Sequence, residues 1–272
     1  MPEWAGFVGL TGLLLTALLA LARLSQRALS GGSGGVGTTA TGGVDAAAER
    51  TYPRFETVEA ARRRQHLTDQ LSAGDPPTGA LLANVALTQG LFGVLVVGGV
   101  FFFAIPASAL GITGESLSTG LPAIAIGVAA GVGFWLGSEL AAAAASGFGI
   151  DFDESMRELL APDSTGGWVV LLGVILPIIA VVEELLFRAA AIGVPVVGLG
   201  APTWLMVPLS AAAFGLGHGA QGRIGIVVTG TLGVALGALF VLTNSLLAVV
   251  VAHYLINALE IIVHEGLGWR RG

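Results

Sequence analysis

Glu183, Glu184 and Arg188 sit within six positions of one another in an otherwise apolar stretch, Trp168 to Leu199. A charged side chain at bilayer depth costs roughly 2.5–3.5 kcal/mol even on the mildest insertion scale, so three together need partners. On a helix, Glu184 and Arg188 are i and i+4 and meet on one face, in the favourable acid-first order. Glu183 lies about 100° around the helix and reaches Arg188 less easily. The trio therefore divides. Glu184 is neutralised by Arg188, and Glu183 is left as a carboxylate that can take a proton from water.

Two further polar sets occur in the following apolar segments. Phe214 and His218, in the run Phe214-Gly215-Leu216-Gly217-His218, place an aromatic ring and an imidazole on one helix face. His253 and Asn257 are again i and i+4 and point the same way. Glu260 and His264 extend that stripe, with His264 and Glu265 expected at the membrane interface. Glu139, late in an earlier apolar segment, is expected to snorkel to the surface. Each set alone has a plain structural reading, as a salt bridge or an interhelical hydrogen bond. Their coincidence on three helices is what hydrolysis needs: a base, a second group to hold water, and donors for a developing oxyanion.

Glu183-Glu184-x-x-x-Arg188, then Phe214-x-x-x-His218, then His253-x-x-x-Asn257, resemble the successive motifs of the CPBP family, the CAAX protease and bacteriocin-processing group related to the Ras-converting CAAX prenyl endopeptidases. The resemblance covers roughly residues 168–264. It implies an intramembrane endopeptidase in which Glu183, the general base, and His218 activate water, while His253 and Asn257 stabilise the oxyanion. Glu184 and Arg188 would support them, and Phe214 would shape the pocket or pack behind His218.

No cofactor is expected. If a metal were used, Glu183, His218 and His253 could form a His₂Glu zinc site with one open position. The chain lacks a His-Glu-x-x-His helix and has no cysteine, which favours metal-independent glutamate catalysis.

The elements that must carry these residues follow from composition. The 272 residues are 54% hydrophobic and 11% charged, against about 25% charged in soluble domains, so the chain is expected to be an all-α, polytopic membrane bundle. Seven apolar segments are long enough, or nearly so, to span: 4–24, 79–105, 121–145, 168–195, 203–218, 224–243 and 246–263. The first is expected to be a retained anchor, since no basic stretch precedes it and no cleavage site follows. Residues 25–78 read as a glycine-rich and basic linker, with a surface helix or solvated loop over 56–72. Residues 79–145 are two accessory helices, 168–264 the catalytic core, and 265–272 a short tail.

All twelve cationic residues are arginines. With the N-terminus outside, eleven fall in inner segments, Arg188 lies in the membrane and the outer loops carry none. The positive-inside rule thus predicts N-out, C-in topology in the cell membrane, with the site opening to the cytoplasm. Absence of lysine with a net charge of −6 suggests a GC-rich, salt-adapted prokaryote such as a halophilic archaeon. The acidic balance argues against nucleic acid and leaves a membrane-associated protein or peptide, and the bilayer, as partners. A non-proteolytic scaffold or immunity-type protein, and a proton-coupled transporter, are the competing functions. The lack of an internal repeat counts against the transporter.

One depth does not fit. Glu183 lies about 22 Å into a helix begun at Trp168, at ~1.5 Å per residue. His218 instead closes the inner end of its own segment. The two meet if the fourth helix starts below the membrane surface, if it tilts, or if the fifth is broken near Gly215.

Overall fold

The computed structural model describes residues 1–32, 78–146, 157 and 160–269; the expected surface helix over 56–72 lies outside these. Six helices are long and apolar enough to cross a membrane, and a shorter apolar helix joins them. They are α1 (Trp4–Gly32), α2 (Thr78–Phe102), α3 (Leu121–Ser146), α4 (Thr165–Leu199), the shorter α5 (Thr203–Gly217), α6 (Gly222–Thr243) and α7 (Leu246–Gly266). The architecture is an all-α polytopic bundle, as composition predicts. Helix α1 runs on to Gly32 through Leu24, Gln26, Arg27, Ala28 and Leu29, all good helix formers.

Helix α4 is the centre of the bundle. Half of its apolar window is buried, and 44% of α7's, against 17% in α1 and α3, whose remaining apolar surface faces outward. The buried core joins Leu185, Leu186, Phe187 and Ile192 of α4 to Phe7 of α1, Phe92 and Val96 of α2, Phe214 of α5, Phe240 of α6 and Val249 of α7.

Two stretches of α4, Leu171–Ile175 and Leu185–Gly193, are π-helical. The Leu176 N–H bonds to the Leu171 carbonyl and the Val194 N–H to the Ala189 carbonyl, each five residues back. Each stretch ends two residues before a proline, Pro177 or Pro195. A proline inside a helix lacks the N–H donor and presses on the carbonyl four residues back. Widening the preceding turn relieves that clash without breaking the helix.

Helices α3 and α7 touch through backbone. A Cβ added at Gly127 would lie 2.6 Å from the Ala248 carbonyl oxygen, and one at Gly131 2.8 Å from that of Ala252. Small residues spaced by four on both helices permit this approach, and it fixes α7 one residue before His253. Gly131→Val is expected to destabilise the bundle by about 1–3 kcal/mol, the usual cost of overpacking. The midpoint of thermal unfolding in detergent, followed by tryptophan fluorescence, measures it. The α6–α7 turn is equally tight. Asn244 takes a left-handed conformation (φ 46°), and Ser245 Oγ accepts from the Ala248 N–H (3.0 Å) while donating to the Ser118 carbonyl (2.6 Å).

Candidate active site

Glu184 and Arg188 form the ion pair expected from their spacing, Nη1 to Oε1 at 2.7 Å, with both side chains buried. Arg188 Nη2 also donates to the Gly233 carbonyl of α6 (3.3 Å), and its guanidinium lies 4.5 Å from the centre of the Phe214 ring. Guanidinium thus meets a carboxylate, a carbonyl and a π face, three groups that favour a cation. The same Glu184 Oε1 lies 2.6 Å from His253 Nδ1. A carboxylate only accepts, so Nδ1 carries a proton and donates it. That leaves Nε2 of His253 facing Glu183, 3.8 Å from Oε2.

Glu183 is buried to 8% exposure and divides its two oxygens. Oε1 accepts from Gln89 Nε2 of α2 at 2.9 Å, whereas Oε2 is buried and has no hydrogen-bond partner among the described residues. His218 caps the C-terminus of α5 (φ −94°, ψ 19°), half-buried. Its Nδ1 lies 2.9 Å from the Phe214 carbonyl, one turn back, and so is the protonated nitrogen. The Phe214 ring packs on His218 (centroids 4.7 Å apart) and edge-on to His253 (5.9 Å) and Phe187 (5.0 Å). Ser210 Oγ ties α5 to the π-helical part of α4 by donating to the Phe187 carbonyl at 2.5 Å.

Glu183 and His218 line one cavity of about 410 Å³, together with Phe187, Gly217, residues of α1 (Leu18, Leu21, Ala22) and residues of α2 (Asn84, Thr88, Gln89). Their apparent difference in depth disappears in the length of α4. At 35 residues it measures roughly 50 Å, against ~30 Å of hydrocarbon, and it begins three residues before Trp168. Helix α5 stays intact to Gly217 and is not broken at Gly215. His253 and Asn257 are not in that lining. Asn257 stands one turn beyond His253, half-buried, and its side chain makes no hydrogen bond among the described residues.

One expectation about the far end of α7 is corrected. Glu139 does not snorkel: it is 8% exposed, with Oε1 3.0 Å from His264 Nε2. His264 is buried as well, its Nδ1 donating to the Trp269 carbonyl (2.7 Å). Arg157 binds Glu260 (2.9 Å) and Glu265 (2.6 Å) beside them. Among the described residues, Glu139, Glu260 and His264 are the set whose potential ligand atoms lie within 4.8 Å of one another. Glu183, His218 and His253 do not converge to that degree.

Gln89 was not among the expected site residues, because α2 reads as an accessory span. The signal is present in the sequence. Asn84, Thr88 and Gln89 are consecutive polar interruptions of one apolar segment, with Asn84 and Thr88 at i and i+4 on one helix face and Gln89 next to Thr88.

Residues 165–259, about a third of the chain, match the family described as type II CAAX prenyl endopeptidase Rce1-like. The matched segment holds Glu183, Glu184, Arg188, Phe214, His218, His253 and Asn257. No curated protein and no solved structure matches the chain. From α4 through most of α7, the chain is thus similar to the type II CAAX prenyl endopeptidase Rce1-like family.

Proposed function

We propose that the protein is an intramembrane endopeptidase that hydrolyses a peptide bond of a membrane-associated, lipidated substrate through water activated by Glu183 and His218. The observation that carries this reading is the division of labour among the buried carboxylates. Glu184 is engaged by Arg188 and His253, while Glu183 has one oxygen with no hydrogen-bond partner among the described residues, beside a cavity that His218 also lines. Oε2 of Glu183 accepts a proton from water, and Nε2 of His218 orients that water toward the scissile carbonyl. Attack gives a tetrahedral oxyanion, to which His253 and Asn257 donate. Collapse then passes the proton from Glu183 to the leaving amine.

The geometry supports the role of His253, whose Nδ1 is held by Glu184 and whose Nε2 faces the Glu183 side of the site. The chemistry asks nothing of a metal. Activity is expected to survive exhaustive chelation, and a loss restored by zinc would overturn the metal-independent mechanism.

The arginine distribution supports an N-out, C-in orientation, in which the cavity opens to the cytoplasmic side of the cell membrane. The substrate test compares peptide termini in membranes of cells carrying the wild-type chain or His218→Ala. A set of termini lost in the variant identifies substrates. Identical termini in the two strains would remove the proteolytic assignment and leave a scaffold role for the fold.

A further inference from the structure

We infer that Gln89 of α2, outside the segment that matches the protease family, is a positioning residue for Glu183. The inference rests on the reading of Glu183 as the base. Gln89 Nε2 donates to Glu183 Oε1 at 2.9 Å, and Oε2 is the oxygen without a hydrogen-bond partner among the described residues. A glutamate at a cavity wall has three side-chain torsions to restrain. A single amide on one oxygen removes most of that freedom and decides which oxygen meets water.

The local fold is built to bring the amide there. Gly93 lies one turn beyond Gln89, and a Cβ at this position would come within 2.9 Å of Val182 Cγ2. The close approach draws α2 onto α4 immediately before Glu183. Phe92, buried in the core and lining the cavity, packs the same turn of α2. A polar amide in a membrane span is costly unless it is bonded, and the partner of Gln89 is the carboxylate itself. The hydrolytic site is therefore not self-contained in the matched segment: α2 supplies the group that aims the base.

The test uses the full chain in lipid vesicles with a pool of lipidated peptides, and then the single peptide cleaved fastest. Gln89→Met keeps length and removes the donor. It is expected to lower kcat about 10- to 100-fold, the worth of one hydrogen bond to a charged group, with KM changed less than about threefold. In a Glu183→Asp background, where the shorter acid cannot reach the amide, Gln89→Met is expected to add almost nothing. A purely structural role would instead give additive losses and a lower unfolding midpoint. Gln89→Leu serves in the same way if the methionine variant unfolds early. Wild-type kcat in both variants, with Glu183→Ala inactive, overturns this inference and leaves the base assignment standing. Full activity of Glu183→Ala, or no cleavage by the wild-type chain, removes both.

Discussion

Glu183→Ala is expected to reduce peptide hydrolysis by about 10²–10⁴-fold, the range contributed by a positioned general base, while the protein inserts and unfolds as the wild type does. The stability half of this expectation follows from the contacts. Among the described residues the Glu183 side chain makes one hydrogen bond, to Gln89, and buries a second oxygen with none, so its removal relieves an unsatisfied group as well as breaking a bond. Glu183→Gln is expected to be equally inactive, because an amide takes no proton from water. Cleavage of a lipidated reporter in vesicles gives the rate, and tryptophan fluorescence on heating gives the midpoint. A glutamine variant retaining more than a tenth of the wild-type rate would mean that Glu183 binds substrate rather than activating water.

Arg188→Met is expected to have the opposite profile, with a large loss of stability that takes activity with it. Arg188 is among the largest fully buried side chains and joins α4, α5 and α6 through Glu184, Phe214 and Gly233. Its loss leaves the Glu184 carboxylate buried with His253 as its remaining partner among the described residues. Breaking a buried pair from one side costs about 3–5 kcal/mol. Arg188→Lys is not expected to rescue, since an ammonium cannot hold the carboxylate, reach the Gly233 carbonyl and lie flat on Phe214 together. Glu184→Gln in the Arg188→Met background removes the stranded charge and is expected to recover part of the lost midpoint. No recovery in the double variant would show that the cost of losing Arg188 lies in packing rather than in charge.

Much of this was legible in the sequence because the relevant signals are local. Apolar segments of about 20 residues announce spans, and i,i+4 spacing assigned Arg188 to Glu184 rather than to Glu183. What escaped depends on neighbours far along the chain. The pairing of Glu139 with His264 joins residues 125 apart, and that of Gln89 with Glu183 residues 94 apart. Neither pairing leaves a trace in periodicity. Glu139 looked free to snorkel because its position near a span end was visible and its partner was not. The length of α4 was misjudged differently. Thr165, Gly166 and Gly167 are poor indicators of a helix start by composition. The start is set by Ser164, whose Oγ accepts from the Gly167 N–H, so the helix begins earlier than hydropathy suggests.

The π-helical stretch Leu185–Gly193 has an effect on how the chain can vary. A turn closed by bonds five residues apart holds one residue more than an α-turn. Removing a single residue between Leu185 and Gly193 would let α4 close as an ordinary α-helix, with the backbone ladder intact. It would leave everything beyond facing nearly as it does now. Closing the stretch as an α-helix with every residue kept would instead rotate the distal half by about 100° against Glu183 and Glu184, turning Val194 and Pro195 out of the core they now fill. The stretch thus works as a phase offset between the two halves of one helix, letting the acid pair face its partners while the distal half packs inward.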